Sequence, residues 1–239
     1  GAGSGKTRVL VYKILYLIDS GYHPRGLMAL TFTNKAAREM RHRISQHIGS
    51  RARELRMGTF HSVFLSILRQ HATLLGYTPD FSIYNTSDSR SRIKAIIKYL
   101  GLDDKVYKPN AIHSRISSAK NRLITASAYA SYSDFIKYDA KSGLPKIAEI
   151  YQRYEAELRL ANAMDFDDLL LQTNILFRQH PDVLSLWQER IDYLLIDEYQ
   201  DTNFAQYMIA RQLMQDKGAI FVVGDDAQSI YSFRGANLD

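Results

Sequence analysis

The chain of 239 residues contains no cysteine. Disulfides, thiolate metal sites and cysteine nucleophiles are excluded together. Proline is scarce, at 5 residues, so helices should be long and loops few. No run of about 18 apolar residues occurs. The longest, Val9 to Ile18, is short and broken by Lys13, which excludes a helical membrane span. Internal repeats, low-complexity tracts and Pro/Gly/Ser linkers are missing. So is the Gly-x-Ser-x-Gly elbow of serine hydrolases, and the seven histidines show no metal-ligand spacing. What is present, 46% hydrophobic and 23% charged, is the mix of an ordinary globular protein of one to two domains.

The net charge of +6 is unevenly spread. Residues 1–125 hold 21 Lys and Arg against 7 Asp and Glu, while residues 126–239 hold 10 against 18. A polyanion such as nucleic acid suits the first half. Solvated helix faces whose charges cluster by chance are the alternative.

Apolar periodicity places the elements. Gly1–Thr7 is a glycine-rich loop, and Arg8 to Ser20 an apolar helix stopped by Gly21. Leu27–Phe32 is a buried strand. Asn34 is the expected N-cap of a helix from Lys35 to Ile48, in which Ala36, Met40, Ile44 and Ile48 recur every four residues and Gly49 is the terminator. Met57–Phe60 is a short strand and His61 to Leu75 a helix. From about Asp80 to Ala163 strand-like runs vanish and amphipathic helices dominate, as in Arg90–Leu100 and Ile147–Leu160. Tyr193–Ile196 and Ile220–Val223 are continuous apolar runs, the pattern of parallel strands buried on both faces. The simplest organisation is an α/β domain split by a helical insertion.

Gly1-Ala2-Gly3-Ser4-Gly5-Lys6-Thr7 has the form of a phosphate-binding P-loop. Glycines let backbone N–H groups converge on phosphate oxygens, and the following helix adds its dipole. Lys6 would reach the β- and γ-phosphates, and the Thr7 hydroxyl would ligate Mg²⁺. The full pattern begins one residue before Gly1, so the chain is expected to be a fragment of a longer protein. Tyr193-Leu194-Leu195-Ile196-Asp197-Glu198 is an apolar strand ending in two acids. In P-loop enzymes such an Asp holds Mg²⁺, and a following Glu can deprotonate the attacking water. About 190 residues separate Thr7 from Asp197, which again implies an inserted domain. Asp165, Asp167 and Asp168 fit a metal site or a helix start with acids at the positive dipole end; the second is preferred.

Four longer stretches resemble motifs of the UvrD/Rep/PcrA-type superfamily 1 DNA helicases. Thr31-Phe32-Thr33-Asn34-Lys35-Ala36-Ala37-Arg38-Glu39-Met40 resembles their motif Ia, and Thr59-Phe60-His61-Ser62 the next motif. Asp197-Glu198-Tyr199-Gln200-Asp201-Thr202-Asn203 resembles their second motif, and Gly224-Asp225-Asp226-Ala227-Gln228-Ser229-Ile230-Tyr231-Ser232-Phe233-Arg234-Gly235-Ala236 their third. Gly1 to Thr7 fits the first. The insertion matches mainly by position and by Met164-Asp165-Phe166-Asp167-Asp168-Leu169.

The resemblance implies a RecA-like α/β domain, a parallel sheet with helices on both faces, over 1–80 and 164–239. An all-α insertion over 81–163 would interrupt it, and a second RecA-like domain would be absent. It implies ATP and Mg²⁺ as cofactors, with Gly1 to Thr7 on the nucleotide, Asp197 on Mg²⁺, Glu198 as catalytic base and Gln228 as γ-phosphate sensor. It makes Phe32, Tyr231 and Phe233 base-stacking residues, with Arg234, Thr33, Asn34 and His61 as further DNA contacts. Aromatics two apart beside an arginine also suit single-stranded DNA on physical grounds. The implied activity is ATP-driven movement on single-stranded DNA with unwinding at duplex junctions, in repair or replication, in a bacterial-type cytoplasm and without a membrane partner. Without the second domain's arginines the fragment is expected to hydrolyse ATP poorly and to unwind nothing. A missing first strand is expected to leave a central gap in the sheet. A helicase–nuclease subunit and a non-motor, ATP-gated DNA-binding module remain as alternatives. Asp197-Glu198 and the third motif disfavour a small-molecule P-loop kinase.

Overall fold

In the computed structural model the chain opens with α1 (Gly3–Asp19), β1 (Leu27–Thr31), α2 (Asn34–Ile48), β2 (Arg56–Thr59) and α3 (Phe60–His71). There follow β3 (Ser82–Tyr84), α4 (Thr86–Tyr99), α5 (Pro109–Asn121), α6 (Ala126–Ser131), α7 (Ser133–Lys141), α8 (Ile147–Leu160) and β4 (Ala163–Asp165). Last come α9 (Asp168–Gln179), α10 (Pro181–Arg190), β5 (Tyr193–Asp197), α11 (Phe204–Met214) and β6 (Ile220–Val223). The structure describes residues 3–197, 203–215 and 217–224, with side chains from Gly5 onward. Two compact units divide the chain, Gly1–Ser66 with Ile175–Asp239, and Ile67–Asn174, the chain crossing within α3 and within α9.

The first unit is built on a four-stranded sheet in the order β2-β1-β5-β6, every pair parallel. All five residues of β1 are buried, as two-sided burial of a parallel strand requires. Strand alternation splits them between faces. Leu27 and Ala29 join Leu195 of β5 in a core with Leu10, Val11, Ile14 and Leu17 of α1 and Met40 and Ile44 of α2. Each such Leu or Ile contributes about 1.5–3 kcal/mol by leaving water. Lys13, in the later half of α1, lies over the rings of Tyr193 at the start of β5 and Phe221 near the start of β6. α1 therefore runs antiparallel to the strands, with its first turn at their C-terminal ends.

Four expectations need correction. α1 starts at Gly3 rather than Arg8, because extending an existing helix costs little even through glycine, at about 1 kcal/mol per residue. The N-cap of α2 is Thr33 rather than Asn34. Thr33 Oγ1 accepts from Ala36 N at 3.1 Å, and Thr31 Oγ1 donates to the Thr33 carbonyl at 3.0 Å, which fixes that residue in extended backbone. Phe60 opens α3 instead of closing β2. The central gap does not occur among the described residues: β1 and β5 pair directly from Leu27 with Tyr193 to Leu30 with Ile196. Unlike β1, β6 is half-exposed along its length, because it ends the described ladder and has a neighbour on one side only.

The second unit is helical around Ile93, Ile96, Ile112, Ile150, Tyr151, Tyr154 and Leu158. α4 opens with a reciprocal cap between Asn85 and Asp88. The unit also holds a short parallel pair, β3 with β4, registering Ile83 with Met164. Three residues per strand are too few to give a periodic signal in the sequence.

Candidate functional site

In a parallel sheet all C-terminal strand ends share one rim, where ligands of open α/β folds bind. Here that rim carries Thr31 at the end of β1 and Phe32 after it, Thr59 at the end of β2, Asp197 at the end of β5 and Gly224 after β6. The first turn of α1 stands at the same rim. Gly5 is exposed, Lys6 half-buried and Thr7 buried at 4% exposure. A Cβ added at Gly5 would meet no described atom within 4 Å, so the backbone there is open to close approach. Asp197 is buried at 3% exposure and registers with Val223. A threonine hydroxyl and a carboxylate are oxygen donors that suit Mg²⁺.

Phe32 is half-buried. Its ring lies 6.0 Å from Phe60, which is fully buried and 6.2 Å from Phe64. The ring thus packs against buried aromatics while the residue keeps exposed surface at the rim. Thr33 and Asn34 are exposed beside it, with the Thr33 hydroxyl occupied in capping α2. His61 is half-buried in the first turn of α3. Burial pushes its imidazole down to about 4, so at neutral pH it offers hydrogen bonds and no charge. The β2–α3 junction is held by Thr59 Oγ1, which accepts from Ser62 N at 3.1 Å. A Cβ at Gly58 would come within 2.6 Å of Ser62 Oγ and would displace that hydroxyl from its bonds to Thr59. Gly1, Ala2, Glu198, Gln228, Tyr231, Phe233 and Arg234 lie outside the described residues, as does the side chain of Ser4.

The second unit contains a group of acids with metal-like spacing. Ligand atoms of Glu155, Asp165 and Asp168 lie within 4.8 Å of one another. An ammonium group sits among them. Lys120, fully buried, places Nζ 2.8 Å from Asp165 Oδ2 and 2.9 Å from Asp168 Oδ1, and pairs with Glu155. Burial alone would push that ammonium down, but Asp165, Asp168 and Glu155 hold it well above its usual range. Burial, with the charges of Asp165 and Glu155, pushes Asp168 well up; burial also raises Glu155. At Asp165 the effect of burial is outweighed by Lys120, and its carboxyl is lowered. Asp165 and Asp168 also cap each other, with Asp168 N donating to Asp165 Oδ1 at 2.8 Å and Asp165 N to Asp168 Oδ2 at 3.0 Å. This is a structural ion cluster at a helix start. It carries the turn of Phe166, a ring 51% exposed that the sequence reading did not single out. The available signal was an aromatic flanked by acids in a non-periodic stretch.

A parallel α/β unit with a Gly-Lys-Thr helix start and an aspartate ending a neighbouring strand has the form of a P-loop domain, the class that includes RecA-like domains. The UvrD/REP helicase N-terminal domain family matches residues 1–239, and the chain belongs to that family. Among its relatives is the ATP-dependent DNA helicase PcrA of Leuconostoc citreum, 44% identical over 241 residues, covering 100% of this chain and 31% of the relative. The ATP-dependent DNA helicase PcrA of Bacillus subtilis strain 168 is 42% identical over 239 residues, with 100% and 32% covered. That of Staphylococcus aureus strain Mu50 is 41% identical over 240 residues, with the same shares. The chain spans about a third of the length of these relatives. Among the described residues no helix is long and apolar enough to cross a membrane.

Proposed function

We propose that this chain is the nucleotide-binding part of an ATP-dependent DNA helicase that couples ATP hydrolysis to movement along single-stranded DNA and to duplex unwinding. The observation that carries the reading is the shared rim. The first turn of α1, the end of β5 and the Phe32–Asn34 segment all stand at the C-terminal ends of one parallel sheet. A change at the phosphates can therefore reach the DNA contacts through rigid strands rather than through a flexible link.

In this reading Gly1 to Thr7 cradle the phosphates, and Lys6 balances their charge. Thr7 and Asp197 hold Mg²⁺, which when bound neutralises charge on the phosphate oxygens. Glu198 orients and deprotonates the attacking water, and Gln228 relays the state of the γ-phosphate toward the DNA side. Phe32, Tyr231 and Phe233 stack on bases. Thr33, Asn34, neutral His61 and Arg234 hold the backbone. An arginine supplied across the ATP cleft is worth about 10³–10⁵ in rate, so residues 1–239 by themselves are expected to turn over ATP slowly. The setting is DNA repair or replication in the cytoplasm. The test is Glu198→Gln in the full-length protein. It should retain ATP binding and lose most turnover; wild-type turnover in this variant removes Glu198 from its role.

A further inference from the structure

Residues 1–66 carry 11 Lys and Arg against 3 Asp and Glu. Part of that excess is organised. Arg38, Arg41, His42 and Ser45 follow the i, i+3, i+4, i+7 spacing and form one stripe along α2, while Met40 and Ile44 face the core. The stripe borders an open groove of about 610 Å³, whose other wall is the 3₁₀ turn Gly49–Glu54 with Arg53. Arg41 braces the two walls, donating to the Ala52 carbonyl at 3.3 Å and the Met57 carbonyl at 3.0 Å. Arg38, His42 and Arg53 are exposed. Among the described residues no carboxylate lines the groove. Its upper end lies one helical turn from Thr33 and Asn34 at the rim, and the stripe from Arg38 to Ser45 runs about 10 Å away from it, at 1.5 Å per residue.

We propose that this groove binds the phosphodiester backbone of single-stranded nucleic acid, continuing the strand's path from Thr33 and Asn34 down α2. The inference rests on the single-strand reading above and adds a site to it. Two features favour phosphates over an acidic protein segment. The cations are spaced along a line, as backbone phosphates are. The groove also begins where the proposed backbone contacts of Thr33 and Asn34 end.

The test is equilibrium binding of oligonucleotides of increasing length to the full-length protein, over a salt series. The variants are wild type, the double variant Arg38→Gln, Arg53→Gln, and Arg178→Gln as an exposed cation outside the groove. Arg41 is left intact because its carbonyl bonds hold the wall. Each single-strand phosphate contact contributes about 0.7 to the slope of log K against log salt, so the double variant should be shallower by about 1.4 and about 25-fold weaker at 0.1 M salt. The gap should close toward 1 M salt and shrink on oligonucleotides too short to leave the rim. Arg178→Gln should match wild type. An unchanged slope in the double variant, while Phe32→Ala still weakens binding, overturns the groove alone. A loss confined to duplex DNA, or equal competition by polyglutamate, overturns the choice of ligand. Failure of wild type to bind any single strand overturns the functional reading and the groove with it.

Discussion

Lys120→Met removes one ammonium group and little volume from the centre of the second unit. Lys120 is fully buried against Glu155, Asp165 and Asp168, and Tyr154 adds a hydroxyl donated to Asp165 Oδ2 at 2.8 Å. Taking one partner from a buried ion cluster leaves uncompensated charge, at about 3–5 kcal/mol. For a chain of this length each kcal/mol moves the melting point by about 2–4 °C, so a drop of about 6–20 °C is expected. The effect has a definite pH signature. In wild type the lowered carboxyl of Asp165 gives stability that is present above its unfolded value and lost as pH falls through its folded value. The raised carboxyls of Asp168 and Glu155 act in the opposite sense, and their contribution is lost as pH rises through their folded values. Without Lys120 all three acids favour the protonated form in the folded chain. The variant must therefore regain stability relative to wild type as pH falls from about 7.5 to about 5.5. Urea unfolding followed by circular dichroism at both values measures this. A loss below about 1 kcal/mol, or a gap that ignores pH, refutes the argument.

Three further outcomes are expected. Phe32→Ala should weaken single-strand binding by the worth of one stacked base, about 1–3 kcal/mol, with less effect on ATP affinity; fluorescence anisotropy checks this, and unchanged DNA affinity returns Phe32 to a purely core role. The His61 imidazole, held down to about 4 by burial, should stay neutral across pH 6 to 8, so NMR titration should show no transition there, and a midpoint near 6.5 contradicts the burial argument. Gly58→Ala should cost about 1–2 kcal/mol by displacing the Ser62 hydroxyl, and Ser62→Ala in the same chain should recover most of it; equal melting of Gly58→Ala and wild type shows that the junction tolerates a side chain.

Much of the scaffold is legible in the residues because burial patterns are local. α8 spans Ile147–Leu160 and β6 spans Ile220–Val223, as the apolar periodicity predicts. Gly49 ends α2 with φ of 64°, a conformation that favours glycine. The choice of Thr33 over Asn34 as cap is not legible, since both residue types cap well and a bond from Thr31 decides between them. Lys120 is equally hidden, because its partners Asp165 and Asp168 lie 45 and 48 residues further along the chain. At the candidate site, Lys6, Thr7 and Asp197 are readable as local patterns with a known chemistry. The neutrality of His61 and the brace of Arg41 are not, because tertiary burial and the carbonyls of Ala52 in a separate turn and Met57 in β2 create them.

The central claim is that a nucleotide site and a DNA site on one sheet rim are coupled. Steady-state ATP hydrolysis by the full-length protein, with and without single-stranded DNA, tests it most directly, with Lys6→Ala as the phosphate-site control. Coupling of the two sites predicts turnover that needs Lys6 and rises many-fold when single-stranded DNA is added. Turnover that depends on Lys6 but is indifferent to DNA would contradict it.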